Sequence, residues 1–128
     1  MANVKKINGY NLIDSVFTKV ETTIDSLTLD EVGVAGTNYA DVTLPTGWNA
    51  EDTFIAGGYI TIYDTSDNVV AIRQINSQFT DITTGEVNFI NEVGYYAADP
   101  VSLYVDIINY ISAWVGYKVV FTMLLYNK

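Results

Sequence analysis

From Asn38 onward, turn-forming residues interrupt the chain roughly every 8–12 positions, and the segments between them carry period-two apolar patterns. Val101, Leu103, Val105 and Ile107 alternate with more polar neighbours, which is the signature of a half-buried strand. Tyr39 to Leu44 forms another such segment and stops at Pro45-Thr46-Gly47. Phe54 to Tyr63 and Asn68 to Ile75 flank the polar turn Asp64 to Asn68 and read as a hairpin. Gly57-Gly58 lies inside the first of these strands, where paired glycines mark a bulge or a close backbone approach. Phe79 to Ile82 and Glu86 to Ile90 flank Thr83-Thr84-Gly85 and form a second hairpin. Asn91 to Pro100 and Asn109 to Gly116 read as loops. Tyr117 to Tyr126 is a strand that is apolar on both faces, with Val119, Phe121, Met123 and Leu125 on one and Val120, Leu124 and Tyr126 on the other. Such a strand is central in a sandwich or lies in a subunit interface. Seven or eight short strands of this kind predict an all-β fold, an antiparallel β-sandwich of jelly-roll type.

The N-terminal third reads differently. Asn8-Gly9 is the dipeptide best suited to a two-residue hairpin turn, and Val4, Ile7, Leu12 and Ile13 flank it. Two strands alone are marginal in water, so this piece is expected to dock on something larger. Ser15 to Leu29 has two readings. Val16, Val20, Ile24 and Leu27 fall on one helical stripe, but Thr18, Thr22 and Thr23 favour strand. A connector near residues 30–37 suggests an N-terminal segment, 1–32, carrying a hairpin or short helix, and a β-domain, 33–128.

Composition narrows the function. Six basic against 15 acidic residues give a formal charge of −9, which argues against the basic footprint needed for nucleic acid and against docking on anionic lipid. The chain has no Cys and no His, so disulfides, Cys zinc sites, thiol catalysis and the commonest general base are excluded. No cofactor motif and no metal site is read. Asp64 to Asn68 resembles a calcium loop only in composition, because the Gly and Glu that an EF-hand needs are missing. Glu51-Asp52 supplies carboxylates, but the sequence does not place a pair across a cleft. No catalytic residue is assigned, and a non-enzymatic role is expected. The N-terminus has two lysines with no apolar run behind them, unlike a signal peptide, and Val119 to Tyr126 is far short of the ~20 residues of a spanning helix.

Charged residues make up only 16% of the chain, against about 25% in ordinary domains, and 11 Asn, 14 Thr and 10 Tyr take their place. A surface of this kind is adhesive. Tyr95, Tyr96, Tyr110 and Trp114 fall in the predicted loops and are the candidate ligand contacts, since Tyr and Trp stack on sugar faces. The competing reading of these four is packing in the core or interface of a β-rich oligomer.

Three stretches resemble phage proteins. Lys5-Lys6-Ile7-Asn8-Gly9-Tyr10-Asn11-Leu12-Ile13-Asp14 is similar to the start of many phage tail, fibre and baseplate proteins. Asp41-Val42-Thr43-Leu44-Pro45-Thr46-Gly47-Trp48-Asn49 resembles the opening of a phage knob domain. Tyr117-Lys118-Val119-Val120-Phe121-Thr122-Met123-Leu124-Leu125 resembles the final strand of such knobs. The chain departs from fibres in length, with at most about 20 residues for a shaft. The resemblance implies a virion structural protein of the tail-fibre, head-fibre or receptor-binding knob type, assembled in the host cytoplasm, displayed on head or tail and commonly a homotrimer. It places virion docking on Val4, Ile7, Asn8, Gly9, Tyr10 and Leu12. With the two-faced last strand, it places the oligomer interface on Val119, Phe121, Met123 and Leu125. Expected partners are other copies of the chain, other virion proteins and a host-surface saccharide. The alternatives are a head decoration protein without a receptor role, a free carbohydrate-binding module and a glycan depolymerase.

Overall fold

The computed structural model describes residues 17–29, 38–75, 77–81 and 86–127, with the side chains of 77–81 and 86–90 excepted. The proposed hairpin and the docking residues Val4, Ile7, Asn8, Gly9, Tyr10 and Leu12 lie outside this set. Every strand pairing among the described residues is antiparallel. The strands are β1 (Phe17–Ile24), β2 (Asn38–Thr43), β3 (Thr53–Tyr63), β4 (Val69–Gln74), β5 (Ser77–Asp81), β6 (Glu86–Gly94), β7 (Ser102–Ile108) and β8 (Lys118–Asn127). They form two four-stranded sheets, β1-β8-β3-β4 and β2-β7-β6-β5, in a sandwich-like all-β arrangement.

The alternation seen in the sequence becomes the core. Leu103, Val105 and Ile107 of β7 pack with Ile60 and Ile62 of β3 and with Val119, Phe121, Met123 and Leu125 of β8 in one buried cluster. The intervening residues of β7, among them Tyr104 and Asp106, face outward because successive side chains in a strand point to opposite sides. The chain crosses repeatedly between the sheets, and Thr22 Oγ1 of β1 donates to the Asp41 carbonyl of β2 at 3.1 Å where they meet.

One open reading is decided and two expectations are revised. Residues 15–29 contain no helix among the described residues. Phe17–Ile24 is a strand paired residue by residue with β8, from Phe17 opposite Tyr126 to Ile24 opposite Val119. The β-branched Thr residues and Val20 suit this role, and the inward residues Val20 and Ile24 close the core beside Met123 and Val119. A boundary at residue 32 would therefore cut a sheet, and β1 belongs with the β-domain. Val119, Phe121, Met123 and Leu125 are at most 1% exposed within this single chain, so they are core rather than subunit interface. Of the two roles open to a strand apolar on both faces, β8 takes the central one, between β1 and β3.

The turns follow residue chemistry. The Trp48 N–H donates to the Pro45 carbonyl across Thr46-Gly47, and the Tyr117 N–H donates to the Trp114 carbonyl across Val115-Gly116. Gly47 and Gly116 have φ of +88° and +90°, as a type II turn requires at its third position. The loop expected from Asn91 begins later. β6 continues to Gly94 because Asn91 to Gly94 pair with Ile107 to Tyr104 of β7. At Gly57-Gly58, the register of β3 on β8 shifts between Ile55 and Gly57, which is a bulge. A β-carbon on Gly58 would lie 2.8 Å from Ile75 Cδ1 and 3.0 Å from the Thr122 carbonyl oxygen, so the backbone approach is close as well.

Candidate functional site

The four aromatic candidates from the sequence do not form one cluster. Tyr110 and Trp114 are 2% and 6% exposed and belong to the core. The Tyr110 hydroxyl donates to the Thr28 carbonyl and accepts from Asn38 Nδ2 at 2.9 Å, so its polar end is engaged internally. Asn38 Oδ1 also accepts from Thr28 Oγ1 at 3.1 Å, which clips the strand edges together around this ring. Tyr95 and Tyr96 are exposed and sit at the other end of β7, about 20 Å away along a seven-residue strand. Assignment of Tyr110 and Trp114 as ligand contacts is thus corrected, because burial and internal hydrogen bonding remove them from the surface.

Tyr96 instead belongs to a surface that the sequence reading missed. Its ring meets that of Tyr104 edge-on, with centroids 4.7 Å apart and planes at 60°. Tyr104 and Asp106 project outward from β7, and Tyr39 and Asp41 project outward from β2. The antiparallel register puts Tyr39 opposite Asp106 and Asp41 opposite Tyr104. Glu92 of β6 stands opposite Asp106 on the other side. Directly opposed side chains lie about 4.5–5.5 Å apart at Cβ, so these groups interact. Tyr39, Tyr96, Tyr104 and Asp106 line a pocket of about 260 Å³. The signal was present as the triplet Tyr-x-Asp, which occurs at Tyr39-Ala40-Asp41 and again at Tyr104-Val105-Asp106. An antiparallel pairing of the two triplets produces this quartet of alternating rings and carboxylates.

Its electrostatics are one-sided. The Tyr104 hydroxyl donates to Asp99 Oδ2 at 2.8 Å. That bond, with smaller contributions from burial and from Asp99 and Asp41 charge, pushes the phenol up to about 12. Asp106 is raised above the ordinary carboxylate value, first by desolvation and then by the charge of Glu92, against a lowering backbone hydrogen bond from Ile107. Asp106 Oδ1 is sealed from solvent without a hydrogen-bond donor among the described residues. The described basic side chains, Lys19, Arg73 and Lys118, stand on β1, β4 and β8 of the other sheet. The tyrosine face therefore carries carboxylates with no basic side chain on its own sheet among the described residues.

The outer face of the first sheet has another character. Phe17 and Phe54 both contact Tyr126, with ring centroids at 5.1 and 6.4 Å, and Tyr59, Ile72 and Leu124 extend the exposed apolar surface. A shallow hollow of about 320 Å³ is lined there by Lys19, Tyr59, Leu124 and the glycine pair. A larger hollow, about 540 Å³, lies between the start of β3 and the end of β6, and Glu51 and Tyr95 reach it.

Glu51 and Asp52 are consecutive residues of a single 3-10 turn, capped by Asn49 Oδ1 accepting from the Glu51 N–H at 2.9 Å. In the Asp64 turn, Asp64 Oδ1 accepts from the N–H groups of both Ser66 and Asn68 at 2.9 Å, so this carboxylate serves the turn itself. Among the described residues no cluster of three or more acidic side chains has metal-binding geometry, and no helix is long and apolar enough to cross a membrane. No family model, curated protein or solved structure matches the chain.

Proposed function

We propose that this chain is a non-enzymatic structural protein of a phage virion, displayed as an oligomeric fibre or knob that contacts host-surface glycans. The observation that carries this reading is the contrast between the two outer sheet faces. One presents Phe17, Phe54, Tyr59, Ile72, Leu124 and Tyr126, an apolar surface suited to copies of the same chain. The other presents tyrosines among carboxylates, a surface suited to recognition. Virion docking falls to the residues before β1, and the phage-like Ile7-Asn8-Gly9-Tyr10 lies there. Within the jelly-roll reading, β1 pairs with β8 and β2 with β7, as in a chain wound on itself, while β3-β4 and β5-β6 are local hairpins. Function then rests on avidity, since many weak sites on one particle multiply apparent affinity.

Native mass spectrometry and a particle-incorporation assay test this reading. A homotrimer at micromolar concentration is expected, with dissociation on Leu124→Glu. Removal of residues 1–14 is expected to abolish incorporation while the circular dichroism of the β-domain is retained. A stable monomer would favour a free carbohydrate-binding module, and normal incorporation of the truncated chain would overturn the docking assignment. Release of reducing sugar from host envelope would identify a depolymerase instead.

A further inference from the structure

We propose that the pocket lined by Tyr39, Tyr96, Tyr104 and Asp106 binds an organic ammonium group, either a quaternary ammonium or the protonated amine of an amino sugar. The proposal deepens the surface-recognition reading above and rests on it.

Two features select a cation over a neutral sugar. The first is the lining: three of the four lining residues are tyrosines, and a cation over a tyrosine ring, within about 6 Å of its centroid, is attracted by the ring quadrupole. The second is the field. Asp41, Asp99, Asp106 and Glu92 surround the rings, and the described basic residues are on the opposite sheet. Like-signed carboxylates beside a concave pocket raise the local concentration of a positive ligand. Size sets the scale. At about 260 Å³ the pocket falls just below the ~300–1,000 Å³ of sites for drug-sized molecules, which suits one headgroup or one sugar ring. The Tyr104 hydroxyl hydrogen is already committed to Asp99, so this phenol has no donor left for a neutral ligand's acceptor.

The test is a titration of the full chain, followed by NMR of ring-labelled tyrosines and by calorimetry. Choline chloride and glucosamine hydrochloride are the probes. Their uncharged counterparts, 3,3-dimethyl-1-butanol and N-acetylglucosamine, are the controls. At least one cation should bind in the millimolar range and shift Tyr96 and Tyr104, and its control should bind at least tenfold more weakly. Which cation binds more tightly separates the quaternary ammonium from the amino sugar. Tyr104→Ala and Asp106→Asn should each weaken binding about fivefold or more, while Tyr104→Phe, which keeps the ring, should stay within twofold. Circular dichroism on each variant separates lost binding from lost folding.

Equal affinity for a cation and its uncharged counterpart would overturn the ammonium assignment and leave the glycan-contact reading standing. The same holds for no binding of either cation at 100-fold above the expected range (about 100 mM) by a chain that still adheres to host envelope. Failure of the chain to adhere to host envelope at all would instead sink the underlying reading.

Discussion

The Tyr104 hydroxyl donates a hydrogen bond to Asp99 Oδ2 at 2.8 Å, joining β7 to the loop that carries Tyr96 and holding two of the pocket's rings edge to face. Deprotonating this phenol would set a phenolate beside a carboxylate, so its pKa is pushed up to about 12. A titration followed at the ring Cζ should find this tyrosine ionising well above 10. Asp99→Asn should return it toward the ordinary value. Because the folded-state pKa is raised, the associated stability is complete below about pH 10 and is lost as pH rises toward 12. An Asp99→Asn protein with an unchanged Tyr104 titration would show that the bond is not formed in solution.

Gly57 and Gly58 should respond oppositely to alanine. A methyl on Gly58 meets the Thr122 backbone carbonyl and Ile75, and only Ile75 has a side chain free to move aside. Gly58→Ala is expected to cost about 1–3 kcal/mol through overpacking. A methyl on Gly57 meets nothing within 4 Å, so Gly57→Ala should be neutral or stabilising by up to about 1 kcal/mol. Urea unfolding of the two variants checks the ranking, and equal midpoints would contradict the close approach.

Phe121 and Leu124 are three residues apart on β8 and face opposite ways, Phe121 fully buried and Leu124 41% exposed. Phe121→Ala should lower folding stability by about 3–5 kcal/mol through cavity formation. Leu124→Ala should change the stability of the isolated subunit by about 0.5 kcal/mol or less. Denaturation at two protein concentrations distinguishes the two sites. Loss at Phe121 should be independent of concentration, whereas any effect at Leu124 should grow with it.

Asp64 and Asp106 carry opposite pH signatures. The hydrogen bonds from the Asn68 and Ser66 N–H groups, foremost that of Asn68, hold the Asp64 carboxyl below its ordinary 3.8. Its stabilisation is present above that pH and disappears as pH falls through the lower folded-state value. Asp64→Ala should lower the Tm by a few degrees at pH 7 and by less at pH 2.

Asp106, raised by desolvation and then by Glu92, is destabilised when charged. The folded state prefers it protonated, so this cost appears as pH rises through its elevated pKa. Asp106→Asn is therefore expected to stabilise the fold at neutral pH by about 0.5 kcal/mol, a small value because the residue is only partly buried and solvent screens its charge. Thermal melts at pH 3 and pH 7 check both carboxylates. A stability gain accompanied by lost ammonium binding would mark Asp106 as a residue retained for recognition.

The strands were legible where one local pattern pointed one way. β7 follows from Val101, Leu103, Val105 and Ile107, and β3 and β4 follow from the runs on either side of Asp64–Asn68. Ser15 to Leu29 was not legible, because Val20, Ile24 and Leu27 satisfy both a helical stripe and a half-buried strand. Pairing of Val20 with Met123 and of Ile24 with Val119, about a hundred residues away, decides for strand. Tyr110 and Trp114 looked like loop aromatics, and their burial depends on Thr28, Asn38 and Leu27, none of which is near them in sequence.

By itself the sequence determined the all-β class, most strand positions and the turn chemistry, because period-two patterns and residues such as Gly47 act over a few neighbouring positions. Tertiary structure alone decided which side of β8 is core, since both sides are apolar and only packing against β7 selects Phe121 over Leu124. It also made the pocket. Tyr39 and Asp106 are 67 positions apart in the chain, and only the antiparallel register of β2 on β7 sets ring against carboxylate.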